Sequence, residues 1–88
     1  MDAPVVQVEA CAPSREVLRE RSGQRLGTLE VQPYTCWVIA RTPSGQVVGI
    51  YEPEPRDRTR NASGYVIGSG NLLTGLLLLE RFKSERAR

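Results

Sequence analysis

The stretches "SGQRLG" (22–27), "SGQVVG" (44–49) and "SGYVIG" (63–68) decide how this chain folds. Each reads Ser-Gly-x-x-apolar-Gly. The second copy begins 22 residues after the first (44 minus 22) and the third begins 19 after the second (63 minus 44). A period of roughly 20 residues asks for one supersecondary unit used several times. Around the second copy stand "CWVIART" and "QVVGIYE", both rich in β-branched and aromatic residues that favour strands. The first Gly of each unit supplies the positive φ that a tight hairpin turn needs. The second falls inside the outgoing strand, where Gly marks a bulge, a bend or a close backbone approach.

Working outward, three consecutive hairpins follow: 16–21 with 25–31, 35–42 with 46–52, and 57–61 with 64–68. Residues 5–10, "VVQVEA", alternate apolar and polar at period 2 and can add a strand to this set. Residues 14–22, "SREVLRERS", also read as a helix capped by Ser14. Superposing the repeats favours a strand there, since Val17-Leu18-Arg19 takes the place of Ile39-Ala40-Arg41. The joints "VQPYT" (31–35) and "EPEPRDR" (52–58) carry prolines that interrupt ladders and blunt edges. Beyond the third unit, "GSGN" (68–71) turns the chain and Asn71 is a good N-cap. "LLTGLLLLERFKSERAR" then reads as a helix over 71–83, followed by a basic tail, 84–88, that suits the helix dipole. The expected fold is mainly β (α+β): one domain over 1–88, with an N-terminal arm (1–13), an antiparallel meander of three repeated hairpins (14–70) and one C-terminal helix.

The segment "SGQVVGIYEP…RDRTRNASGYVIGSGNLLTGLL" resembles small bacterial proteins of plasmids and phages. Those carry repeated (D/S)-G-x-x-(I/V)-G hairpins, then G-x-G-N-L-L and an apolar tail. It is also similar to the β-repeat folds described as a β-flower. The resemblance covers about 36–78 and implies consecutive hairpins. It brings no activity and no catalytic residue. The first hairpin, "RERSGQRLG", is more charged than the pattern.

Composition narrows the function. Of 88 residues, 40% are hydrophobic and 25% charged, as in a soluble globular domain. The net charge of +2 is too small to demand nucleic acid. Eleven of the twelve basic residues are Arg, a skew that GC-rich codon usage produces and that also suits bidentate contacts. There is no His, which removes the commonest general base and metal ligand together. A nucleophilic Cys11 or Cys36 would have only carboxylates or a lysine for its base. The expectation is therefore a non-enzymatic chain with no cofactor and no metal. The two cysteines can pair, but buried free thiols suit a cytoplasmic chain better. The acidic start without an apolar core argues against a signal peptide, hence the cytoplasmic expectation. The run "LLTGLLLL" (72–79) is far short of the ~20 residues of a membrane span. Asn61-Ala62-Ser63 reads as an accidental glycosylation sequon.

Two surfaces stand out. Leu72, Leu73, Leu76, Leu77, Leu78 and Leu79, continued by Phe82, wrap nearly the whole helix. A surface helix shows one apolar stripe, so an all-round one must be covered on more than one side: either pressed into the curled sheet, with Phe82 continuing the contact, or packed on its own sheet by one face and on a second copy by the other. The leading expectation is a protein-interaction or structural module that forms a homodimer through these residues. The alternative is nucleic-acid binding. Arg56, Arg58 and Arg60 would share one face of an extended strand, joined by Lys83 and Arg86, with aromatic residues for stacking. As solvated edge charges they need no partner at all. Gly68-Ser69-Gly70 before a helix resembles a phosphate cradle but lacks the strand and lysine of one, so a turn and N-cap is the better reading.

Overall fold

A computed structural model describes residues 11–86, and the side chains of 11–83. The strand suggested for 5–10 lies outside the described residues. The three Ser-Gly units close three hairpins, as their spacing predicts. The strands are β1 (Ser14–Arg19), β2 (Arg25–Val31), β3 (Val38–Arg41), β4 (Val47–Glu52), β5 (Arg58–Asn61) and β6 (Val66–Ser69), followed by helix α1 (Leu73–Arg86). They form one antiparallel meander in the order β1-β2-β3-β4-β5-β6. Residues 14–19 are strand, which decides between the two readings of that segment.

The three turns are built alike. Gly23, Gly45 and Gly64 have φ of 93°, 99° and 93°, the left-handed region that glycine enters without a Cβ penalty. Each donates its N–H back to the residue three earlier: Glu20 (2.9 Å), Thr42 (2.8 Å) and Asn61 (2.9 Å). The same three residues donate their own N–H to Gln24 (2.9 Å), Gln46 (2.8 Å) and Tyr65 (2.8 Å). An arginine locks each turn from outside. Arg19, Arg41 and Arg60 donate from Nη1 to the carbonyls of Gly23 (2.9 Å), Gly45 (3.1 Å) and Gly64 (2.6 Å). In the second and third turns a side chain at the first position joins in. Thr42 Oγ1 accepts from the Gln46 N–H, and Asn61 Oδ1 accepts from the Ser63 and Tyr65 N–H groups. The Asn61 side chain is thus part of a turn.

Every outgoing strand then bulges at the same place. Leu18 faces Gly27 but Arg19 faces Arg25, so Leu26 is the extra residue. Val48 and Ile67 are skipped likewise between the Ala40–Gly49 and Arg41–Val47 pairs and between the Thr59–Gly68 and Arg60–Val66 pairs. A bulge adds local twist and bends its strand, and three in register curl the sheet the same way.

Helix α1 lies in that curl and crosses β4, β3 and β2. The second glycine of each unit is its seat. A Cβ on Gly27 would meet Leu77, one on Gly49 would meet Leu76 and Leu73, and one on Gly68 would meet Leu72. Leu26, Ala40, Val48, Leu73 and Leu77 form the buried core, with Leu18, Leu29, Val38, Tyr51 and Leu76 packed around it. The helix begins where expected in kind, two residues later in number. Asn71 Oδ1 accepts from the Leu73 N–H at 3.0 Å, a side-chain N-cap. Buried Thr59 fastens the turn beneath: its Oγ1 donates to the Gly70 carbonyl (2.6 Å) and accepts from the Leu72 N–H (3.0 Å). The far end is tied to the first hairpin by Arg81, which binds Glu20 and, at 2.6 Å, Gln24 Oε1.

Two expectations need correction. The second hairpin is shorter than 35–42 predicts, because 32–37 is a tight reversal. In it the Gln32 N–H bonds to Trp37 O (2.9 Å) and the Cys36 N–H to Gln32 O (2.9 Å), so β3 starts only at Val38. Cys11 and Cys36 are not free thiols but a disulfide, with Cα atoms 5.7 Å apart. The ladder brings Cys11 beside Pro33 through an N–H···O bond of 3.3 Å. Cys36, at φ 60°, closes the reversal.

Candidate interaction surface

The apolar helix expected to serve as an interface is divided by the structure. Leu73 and Leu77 are 0% and 1% exposed. They are spent on the chain's own core and are not available to a partner. Leu76 is half-buried over Gly49. Leu72 is 39% exposed, beside Gly68. The outer face carries Leu78 (51%), Leu79 (56%) and Phe82 (54%). This division follows from the 3.6-residue period: 73, 77 and 80 share one side, while 75, 78, 79 and 82 share the other. Sequence reading found the helix and its packing on the sheet. It did not separate the two faces, because leucine occupies both.

Exposed Ile67 on β6 lines a cleft of about 280 Å³ with Val48, Leu76 and Leu79, and Lys83 at its rim. It continues the apolar outer face toward the sheet edge. On the other side of α1, a groove of about 490 Å³ lies between the first two turns and the helix. Leu26, Leu77 and Pro43 are among its lining, with Arg25, Glu80 and Arg81.

The basic residues are not gathered into one stripe. Thr59 faces the helix, so Arg58 and Arg60 point to the opposite face of the sheet, away from Lys83. They converge on Glu52 of the neighbouring strand. Arg58 Nε lies 2.5 Å from Oε1 and Arg60 Nε 3.2 Å from Oε2, and Glu52 is 4% exposed. The bond donated by Arg58, and then that from Arg60, holds the Glu52 carboxyl below the usual carboxylate range despite its burial. A phosphate would have to displace this carboxylate. Arg56 is exposed, and the side chain of Arg86 lies outside the described residues. On the same outer face, Glu30 sits between Arg15 (3.7 Å) and Arg41 (3.3 Å), so charge is paired along that side.

Of the Gly68-Ser69-Gly70 string expected to turn, Gly68 and Ser69 still belong to β6, paired with Thr59 and Arg58, and the chain bends at Gly70. Gly70 has φ 77° and donates its N–H to the Asp57 carbonyl at 2.9 Å. The N–H groups of Leu72 and Leu73 are already taken by Thr59 and Asn71, so these two are not offered to an anion. Across the sheet, the Tyr51 hydroxyl donates to Asp57 Oδ1 at 2.6 Å. That bond, with burial and the Asp57 charge, raises the tyrosine's pKa above its ordinary value. Among the described residues no helix is long and apolar enough to cross a membrane.

No protein-family model, curated protein or solved structure matches this chain.

Proposed function

We propose that this protein is a non-enzymatic interaction module that associates with a second copy of itself through the outer face of α1. One observation carries the reading. The inner face of the helix is fully used, with Leu73 and Leu77 buried, while Leu78, Leu79 and Phe82 on the other side stand about half exposed. Leucine on a water-facing helix surface gains nothing until it is covered, and clustered apolar exposure of this kind marks interfaces. The thin core supports the same conclusion: a domain with five buried hydrophobic residues among those described has reason to bury more by associating. The paired state of Arg58 and Arg60 speaks against the nucleic-acid alternative. The Cys11–Cys36 bond favours an oxidising compartment over the cytoplasm.

Sedimentation equilibrium from micromolar to millimolar protein tests this. A concentration-dependent shift from 9.8 kDa to twice that mass is expected, and Leu79→Glu should abolish it without lowering helix content. A chain that stays monomeric at millimolar concentration would overturn the proposal.

A further inference from the structure

We infer that the two copies meet with their α1 helices antiparallel, about a two-fold axis between Leu78 and Leu79, so that Phe82 of each lies over Gly75 of the other. This rests on the self-association proposed above and adds its geometry. Residues seven apart on a helix fall within about 20° of one line. Gly75 and Phe82 therefore share the centre of the outer face, with Leu78 and Leu79 flanking them. Gly75 and Phe82 also stand at equal distances along the helix from the midpoint between the two leucines. An antiparallel two-fold operation about that midpoint carries each onto the other.

The shapes match under that operation. A Cβ built on Gly75 meets no heavy atom within 4 Å, so the helix has a bare notch one turn before Leu78 and Leu79. Phe82, the largest side chain on the face, stands one turn after them and is 54% exposed. A parallel pair would set Phe82 against Phe82 and leave the two notches facing an empty gap. The antiparallel pair fills both notches and sets each leucine against its own counterpart, as an isologous interface requires. Gly75 stands in the first turn of α1, and a notch that receives a side chain gives this exposed glycine a role. The rim is compatible as well. The two Lys83 residues fall about 13 Å apart along the pair at 1.5 Å per residue, beyond the ~8 Å screening length of physiological salt.

Cysteine cross-linking distinguishes this arrangement. The native cysteines are bonded to each other, so an introduced cysteine is the free thiol. Leu78→Cys should oxidise to a covalent dimer at concentrations where the chain associates. Thr74→Cys, exposed but about 13 Å from its counterpart by the same rise, should not, since disulfides need Cα atoms within about 7 Å. Gly75→Leu should weaken association at least tenfold while the unfolding midpoint holds or rises, which separates lost docking from lost folding. Two outcomes would overturn the geometry but leave self-association standing in a wild-type dimer: Thr74→Cys cross-linking as readily as Leu78→Cys, or a dissociation constant unchanged by Gly75→Leu. A wild-type chain that remains monomeric would overturn both.

Discussion

Gly27 and Leu77 pack so closely that a Cβ on the glycine would lie 2.7 Å from Leu77 Cδ2 and 2.3 Å from the Arg41 carbonyl oxygen. One obstacle is a side chain that can move. The other is backbone of the adjacent strand, which cannot move without breaking the ladder. Gly49 is hemmed in the same way, by the helix and by the adjacent strand β5: Leu76 Cδ1 at 2.5 Å and the Arg60 carbonyl at 2.8 Å. Gly68 meets only Leu72 Cδ1, at 2.7 Å.

These distances rank three substitutions. Gly27→Ala should destabilise most and Gly49→Ala next, each by about 2 kcal/mol or more as overpacking against a fixed neighbour. Gly68→Ala should cost well under 1 kcal/mol, because the end of Leu72 can swing away. Urea denaturation midpoints give the order directly. Equal losses at all three would mean that the helix is not seated as described.

Thr59→Val keeps the shape of a fully buried side chain and removes its hydroxyl. The Gly70 carbonyl and the Leu72 N–H would both lose their partner. A loss of about 1–3 kcal/mol is expected for buried polar groups left unmade. Hydrogen exchange at Leu72 should rise with it. Unchanged stability would show that neither bond matters.

The Cys11–Cys36 bond spans a sequence separation of 25 residues that includes the whole first hairpin. On the chain-entropy account, closing such a loop contributes about 3 kcal/mol. Denaturation with and without reductant should differ by that order. Exchange protection should fall first in β1, the end strand of the sheet among the described residues, with mostly exposed side chains. A reductant-insensitive midpoint would contradict this.

Stability should fall at both ends of the pH scale, for opposite reasons. The Glu52 pKa is lowered in the folded chain, mainly by the bond from Arg58. Its contribution is complete above the ordinary carboxylate pKa of about 4.3 and is lost as pH drops through the lower folded value. Tyr51 is raised, mainly by its bond to Asp57. Its contribution is complete below the ordinary tyrosine pKa of about 10 and is lost as pH climbs through the higher folded value. Glu52→Gln should flatten the acid limb alone, and Tyr51→Phe the alkaline limb alone. Stability curves of the two variants that lie parallel to wild type would refute the assignment.

The meander was legible because its signal was written three times. Ser-Gly at 22, 44 and 63 fixes the turns, and Gly27, Gly49 and Gly68 announce a close approach even before its partner is known. The arginines that lock the turns were visible only in part. Aligning Arg19 with Arg41 places β1, but nothing local says that the guanidinium returns to the glycine carbonyl four residues on. The Arg58–Glu52–Arg60 arrangement stayed hidden because Glu52 lies on another strand, and only register brings the three together. The disulfide was misjudged for a similar reason. Its partners are far apart in sequence, and their meeting depends on how 32–37 reverses.

Leu72, just before α1, and the leucines of the helix occupy the three glycine seats in sequence, Leu72 on Gly68, Leu73 and Leu76 on Gly49, Leu77 on Gly27. The helix therefore acts as a gauge for the number of hairpins. Duplicating one unit would add a seat with nothing to sit in it unless the gauge grew by about a turn. Deleting one would leave a leucine overhanging water. Lineages that gain or lose a repeat should show a matching change in helix length.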